Sequence, residues 1–261
     1  MISEAMDDCT VPLFLRKYLV SKGKVAIAFS GGTDSSYLLY ALRECGADFV
    51  AYTVRSAFQT AEETDDAVRL AESLGIKSRI IDADVLSDAR ITSNPADRCY
   101  RCKRLIFTSI LRCASIDGCA CIIDGTNASD DPDGRPGMRA LGELGIQSPL
   151  RECGITKRQV RELSKKAGLP TWDRPSNSCL ATRISTGIPI TEEGLRRTES
   201  AEDELRRIGF SDIRVRTLPD GCRFEFTEAQ KGLFESSEAR VRQILLKYYP
   251  SVRYSTREPG L

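Results

Sequence analysis

The sequence predicts an α/β protein in which a doubly wound parallel sheet is followed by a smaller α+β domain. Three observations carry that expectation. Apolar runs of strand length alternate with helix-period segments through the first two-thirds of the chain. A glycine-rich loop, Ser30-Gly31-Gly32-Thr33-Asp34-Ser35-Ser36, separates the first strand from the first helix, and the alternation gives way to a different pattern near residue 185.

Residues 25–29 read as a buried strand and 35–45 as the helix after the loop. A strand at 49–54, a helix at 60–74 stopped by Gly75 and a strand at 78–82 follow. Next come a helix from about 103 to 114 and a strand at 119–123 that runs into Asp124-Gly125-Thr126-Asn127. The order βαβαβαβ implies parallel strands joined by helical crossovers, with ligands at the carboxyl ends of the strands. The Gly-Gly loop and the Asp124 turn both fall at such ends and should face one cleft. Thr156 caps a helix reaching to 167, with Gly168 and Leu169-Pro170 as the stop. The stretch 173–190, rich in Pro, Ser and Thr, reads as loop. A helix at 191–208, strands at 213–217 and 223–226, a helix at 228–248 and a strand near 252–255 then form an α+β module. The expected domains are 1–185 and 186–261.

A strand that runs into two glycines and then a helix gathers backbone N–H groups and a helix N-terminus around one point, a seat for phosphate. Glycine lets the main chain curl that closely, and Ser30, Ser35 and Ser36 add hydroxyls. No lysine follows the glycines at Walker spacing, and Gly-x-Gly-x-x-Gly is absent. The loop instead resembles the SGGxDS loop of ATP pyrophosphatases, which hold the β/γ-phosphates of ATP and transfer AMP to a substrate oxygen. The competing interpretation is a plain strand-to-helix turn.

With 261 residues, 41% hydrophobic and 29% charged, the chain can bury an ordinary core. Lys plus Arg (38) nearly balances Asp plus Glu (37), so nothing general in its charge favours nucleic acid or anionic membrane. There is no apolar run of membrane-spanning length and no leader-like N-terminus, so a cytoplasmic enzyme is expected.

Ten cysteines occur, at 9, 45, 99, 102, 113, 119, 121, 153, 179 and 222, and no histidine. In a reducing compartment, clustered thiols point to metal or redox chemistry rather than a disulfide framework. Without histidine, a metal here must rely on thiolate or carboxylate. Cys99 and Cys102, in Asp97-Arg98-Cys99-Tyr100-Arg101-Cys102-Lys103, have the spacing to reach one metal centre, and Cys179 is a third candidate. Three thiolates suit a [4Fe-4S] cluster with one open iron better than a four-ligand structural zinc. Two ordinary thiols near a helix start are the alternative. Cys119 and Cys121, two apart in an apolar strand, read as core residues.

The succession SGGTDSS, RCYRCK, DGTNASDDPDGRPGMRAL, NSCLATRI and IRVR resembles the LarE family over nearly the whole chain. LarE proteins are ATP-dependent sulfur transferases of the ATP pyrophosphatase superfamily, with an adenine nucleotide alpha-hydrolase-like fold, and they build the nickel-pincer nucleotide cofactor of lactate racemase. The resemblance implies a small-molecule nucleotide substrate, pyridinium-3,5-biscarboxylic acid mononucleotide. Its carboxylate is adenylated by ATP and then converted to a thiocarboxylate. Members with one cysteine at the position of Cys179 give up its sulfur once; members that also carry the CxxC pair resemble enzymes in which a [4Fe-4S] cluster carries the sulfide. Cys99, Cys102 and Cys179 therefore imply the cluster form, served by a sulfide donor. Trimers or hexamers are the assemblies the resemblance implies.

The same resemblance gives Ser30, Gly31, Gly32, Asp34, Ser35 and Ser36 to the pyrophosphate of ATP, with Mg²⁺ held directly or through water by Asp34. It gives Lys103 to the phosphates and Asp124, Gly125 and Thr126 to a nucleotide-contacting turn. Arg135 and Arg139 are assigned to ATP phosphates, to closing the Gly-rich loop or to solvent. Arg214 and Arg216, on one face of a strand, would grip the substrate phosphate. Arg183 and Glu202 are placed near them, with a surface salt bridge as the ordinary alternative. A tRNA thiolase, an amide-forming synthetase of the NAD or GMP type and a non-catalytic iron–sulfur or nucleotide sensor are the competing functions. The charge balance disfavours the first, and three cysteines have no use in the second.

Overall fold

A four-residue apolar run, Val25–Ala28, forms β1 of the computed structural model. The structure describes residues 10–131, 136–175 and 178–258. By their internal contacts these divide into two units. The first comprises 1–56, 61–83 and 99–174, and the second 57–60, 84–98 and 175–261. The expected boundary at 185 thus falls inside the last stretch of the second unit.

In chain order the first unit carries α1 (Leu13–Val20), β1, α2 (Thr33–Glu44), β2 (Phe49–Arg55), α3 (Ala61–Ser73) and β3 (Arg79–Asp82). After α4 (Ala89–Thr92), which belongs to the second unit, come α5 (Arg98–Ile116), β4 (Cys121–Ile123), α6 (Pro136–Glu143), α7 (Pro149–Glu152) and α8 (Lys157–Lys166). The strands pair in parallel in the order β3-β2-β1-β4. The chain moves outward from β1 to β2 and β3, then returns to place β4 on the other side of β1. That reversal between β1 and β4 opens a crevice at their carboxyl ends, where a parallel sheet binds ligands. The α/β expectation for this region holds.

Among the described residues four helices beyond those expected from the pattern are present: α1, α4, α6 and α7. The helix expected from 103 begins five residues earlier, so Cys99 and Cys102 lie within its first two turns. Leu15, Leu19, Ile27, Leu38, Leu42, Ile123, Val160 and Leu163 share one core, in which α8 packs on α2. The N-terminus of α8 is fixed by a reciprocal capping box: Gln159 N–H donates to Thr156 Oγ1, and Thr156 N–H donates to Gln159 Oε1 at 2.9 Å.

The second unit continues with a 3₁₀ turn (Leu180–Arg183) inside the expected loop, then α9 (Glu192–Arg207), β5 (Arg214–Leu218), β6 (Gly221–Thr227), α10 (Lys231–Leu246) and β7 (Val252–Arg257). Strand β6 lies between β5, antiparallel to it, and β7, parallel to it. Phe210, Phe224 and Phe226 fill the core beneath the sheet, Phe210 and Phe224 meeting edge to face at 5.2 Å. Asn94, buried and left-handed at φ 55°, donates through Nδ2 to the carbonyls of Ile184, Ser185 and Ile188. This is why residues 84–98 belong to this unit.

Thr156→Ala, which removes the cap of α8, is expected to lower unfolding free energy by about 1 kcal/mol in urea titration.

Candidate active site

At the carboxyl end of β1 the chain passes through Ser30 and Gly31, and Gly32 becomes the N-cap of α2 without supplying a side-chain cap. The first N–H groups of a 12-residue helix therefore point into the crevice without a cap from that residue, as a phosphate seat requires. Gly31 sits at φ 73°, and a Cβ there would lie 2.8 Å from the Ala67 Cβ of α3. From the end of β4, Gly125 approaches so closely that its Cβ would lie 2.8 Å from the Ser35 nitrogen. Both positions are closed to side chains, and the two loops meet through backbone. The hydroxyls of Ser30 and Ser35 stand 3.0 Å apart, and Ser35 Oγ donates to the Gly32 carbonyl at 3.2 Å. Ser36 is wholly buried, its hydroxyl without a partner among the described residues.

Asp34, on the first turn of α2, accepts from Lys157 Nζ at 2.6 Å and from Asn127 Nδ2 at 3.3 Å. Burial raises its carboxyl above the ordinary value, with Lys157 opposing that shift. Neither Lys157 nor Asn127 emerged from motif reading; Asn127 lies within the DGTN segment, whereas Lys157 has no local signal. Asp124 uses its carboxylate to build its own turn, accepting from Thr126 N–H at 3.2 Å, Thr126 Oγ1 at 2.5 Å and Ser148 Oγ at 2.7 Å. Lys103 lays its stem over Gly137, whose Cβ would lie 2.8 Å from the lysine Cδ. Arg139 lies over the Tyr100 ring at 4.0 Å and pairs with Glu143, to which Tyr100 also donates. Arg135 lies outside the described residues.

In the second unit Arg183 and Glu202 are each 1% exposed and joined at 2.9 Å, so the surface salt bridge becomes a buried one. Glu202 also accepts from the Val215 N–H and from Arg206, while Arg183 Nη1 donates to Ser178 O at 2.6 Å. The pair therefore ties the residue before Cys179 to α9 and β5. Cys179 is half-buried at the start of the 3₁₀ turn, its carbonyl accepting from Thr182 N–H and Oγ1.

Arg214 and Arg216 share a strand face but not their surroundings. Arg214 is buried against Asp212, and burial, followed by the Arg183 and Arg257 guanidiniums, pushes it down to about 10. Arg216 instead borders a cavity of about 390 Å³, together with Arg98, Arg223, Glu225, Ser185 and Thr186. Arg216 and Arg223 stand directly opposite each other across β5 and β6, both held by Glu225, at 2.9 Å and 3.1 Å. Two like charges in opposed register repel, and an anion in the cavity would relieve them. Arg223 was not anticipated from the sequence.

Cys99 and Cys102, three apart near the start of α5, are on one helix face and half-buried, a geometry that suits two ligands of one cluster. They belong to the first unit and Cys179 to the second. Among the described residues, no three His, Cys, Asp or Glu side chains form a group able to hold a metal ion. The Cys119, Cys121, Cys153 and Cys222 thiols are all raised by burial, that of Cys222 to about 12. Cys119 and Cys121 are half-buried rather than fully in the core.

Comparison with known proteins decides the family. An asparagine synthase family model matches residues 15–93. A pyridinium-3,5-bisthiocarboxylic acid mononucleotide synthase of Lactiplantibacillus plantarum is 35% identical over 91% of this chain and 86% of its own length. The chain belongs to the LarE family. An uncharacterized protein of Synechocystis is 37% identical over 83% of this chain and 81% of its own length. One of Methanocaldococcus jannaschii is 30% identical over 84% of each. As a LarE-family protein with a pyrophosphate loop, the chain is an ATP-dependent sulfurtransferase. No helix among the described residues is long and apolar enough to cross a membrane.

Gly125→Ala is expected to abolish ATP binding in calorimetry, since the added methyl occupies the space of the Ser35 backbone. Glu202→Ala is expected to cost about 3–5 kcal/mol in urea unfolding, because it strands the buried Arg183 charge. Cys222 should stay unalkylated by iodoacetamide at pH 8 until the protein unfolds, as peptide mass mapping will show.

Proposed function

We propose that this LarE-family protein uses ATP to adenylate the carboxylates of pyridinium-3,5-biscarboxylic acid mononucleotide and converts them to thiocarboxylates for the nickel-pincer cofactor of lactate racemase. The observation that carries this reading is the likeness to the L. plantarum synthase along 91% of the chain. The uncapped α2 N-terminus, with Gly31 packed against Ala67 and Gly125 against the Ser35 backbone, supports the ATP step.

The division of labour follows the chemistry of the two sets of residues. The Ser30–Ser36 loop holds the β/γ-phosphates through backbone N–H groups, a preorganised donor set aimed at the charge that develops on pyrophosphate. A substrate carboxylate oxygen bonds to the α-phosphorus, the bond from phosphorus to the bridging oxygen breaks, and its electron pair leaves with pyrophosphate. AMP then serves as the leaving group that a carboxylate oxygen alone is not. Asp34, one carboxylate beside the phosphates, matches the donor set Mg²⁺ prefers, a carboxylate plus substrate oxygens. Residues 1–185 would carry this step. Residues 186–261 would hold the substrate phosphate, Arg216 and Arg223 bearing the guanidiniums at the cavity, with Arg214 and Glu202 buried nearby and Arg183, from the end of the preceding stretch, paired to Glu202. Trimers or hexamers are part of the same proposal.

Cys99, Cys102 and Cys179 would hold a [4Fe-4S] cluster, which when bound supplies an open iron site for sulfide. The chain's own contribution is to fix the thiols: the start of α5 aligns two, and the Arg183–Ser178 bond fixes the backbone beside the third.

Protein purified without oxygen is expected to contain about four irons and four acid-labile sulfides, both lost in Cys99→Ala. An iron-free wild type in which Cys179 loses the mass of H₂S after turnover would assign the sulfur to Cys179 itself. ATP–pyrophosphate exchange that depends on the biscarboxylate mononucleotide tests the adenylation; its absence would refute it.

A further inference from the structure

Thr33 is the one residue of the Ser30–Ser36 loop with no expected role at pyrophosphate, and its hydroxyl is committed elsewhere. Thr33 Oγ1 donates to the Thr171 carbonyl at 2.8 Å, and both residues are buried. On the other side of Gly32, Arg174 Nη1 donates to the Gly31 carbonyl at 3.5 Å. Residues 171–174 therefore grip the loop at two points that bracket Gly32. In a trans peptide the carbonyl and the following N–H point in opposite directions. Drawing the Gly31 carbonyl toward Arg174 thus turns the Gly32 N–H away from it, while the Thr33 bond fixes the first residue of α2.

Residues 171–174 lie outside any helix or strand, so something else must hold them. Arg161, on α8, does so from one side: Nη1 donates to the Trp172 carbonyl and Nη2 to the Arg174 carbonyl, each at 3.0 Å. A planar guanidinium suits such a two-point clasp, and a lysine ammonium lacks its fixed fork. Lys165, also on α8, covers the Trp172 ring at 4.5 Å. From the other side Arg174 Nη2 pairs with Asp66 of α3 at 2.6 Å, and Asp66 precedes Ala67, the residue against which Gly31 packs. A side chain on α8 thus sets a short turn, and the turn sets the loop.

We infer that Arg161 is a positioning residue of the phosphate loop: by clasping the Trp172 and Arg174 carbonyls it fixes residues 171–174, which hold Gly31 and Thr33 so that the loop's N–H groups are oriented for pyrophosphate before ATP binds. The inference rests on the ATP reading of the loop. Backbone donors form a preorganised site only when their peptide planes are already set, and a loop with two adjacent glycines is free to turn them otherwise. Arg161 makes no bond to the reacting atoms in this scheme. Its effect passes through Thr171 to Thr33 and through Arg174 to Gly31.

Two substitutions cut the same tether at its two ends. Arg161→Met keeps the bulk of the stem and removes the donors, and Thr33→Val is nearly isosteric and removes the hydroxyl. Calorimetric titration with inorganic pyrophosphate and with ATP is expected to show each variant binding about 10-fold more weakly. The double variant should be no more than about twofold weaker than the worse single one, because a tether already cut cannot be cut again. Hydrogen exchange in ligand-free Arg161→Met should be faster at the amides of residues 31–36 and unchanged in β1 and β2. Arg161→Lys should recover only part of the affinity, and it takes the place of Arg161→Met in the cycle if circular dichroism shows the latter unfolded. Losses that multiply in the double variant, or a folded Arg161→Met that binds both ligands as wild type does, would overturn the inference and leave the nucleotide reading intact. Wild type that binds neither pyrophosphate nor ATP would overturn both.

Discussion

The close approach of two backbone segments at the sheet's reversal point is the constraint from which the first unit's site follows. Strands β1 and β4 are neighbours, so their carboxyl ends share one space; Gly125 lets the β4 turn pack against the Ser35 backbone, and Gly31 lets the loop pack against Ala67 of α3. The N-terminus of α2 then faces the crevice with its N–H groups ungated by a capping side chain. Asp34, Asn127 and Lys157 become neighbours only because that backbone arrangement exists. Their hydrogen bonds tie the ends of β1 and β4 and the start of α8 into one assembly.

The second unit is organised by charge rather than by close backbone approach. Arg183 and Glu202, taken wholly out of water, require that every polar atom around them be satisfied, and the bonds to Ser178, Val215 and Arg206 do this. Such a pair contributes little net stability compared with a packed apolar substitute, but it fixes direction. It sets the backbone beside Cys179 against β5, the strand that carries Arg214 and Arg216. Near it the positive groups Arg183, Arg206, Arg214 and Arg257 face Glu202 and Asp212, and Arg214 is depressed first by burial and then by the neighbouring guanidiniums. Arg216 and Arg223 repeat the imbalance at the cavity over a single Glu225.

What the sequence revealed and what it hid divide along the distance between partners. The phosphate loop, the parallel strands and the capped α8 are each encoded within a dozen residues, as spacing, apolar period and capping chemistry, and all were legible. Lys157 was not, because its meaning arises from α8 packing on α2 across 123 residues, which no local pattern records. Arg223 was missed for a similar reason: only the antiparallel register sets it opposite Arg216. Arg183 and Glu202 were each placed near the substrate phosphate or in a surface salt bridge, because no local pattern shows that the two are buried against each other. α6 escaped notice because it begins at a proline in a Gly-rich stretch, although proline is well suited to a helix's first turn.

Asn94 gives this architecture a temporal dimension. Its amide serves three carbonyls near residue 185, and Arg98 donates to the Ala181 carbonyl. During synthesis, residues 84–98 leave the ribosome some eighty residues before the segment they complete. Until then the Asn94 amide and Arg98 lack these carbonyl acceptors, keeping only the bond from Arg98 to Asn94 Oδ1, and the intervening stretch, 99–174, belongs to the other unit. The second unit therefore completes later than the parallel sheet, whose four strands all lie within residues 25–123.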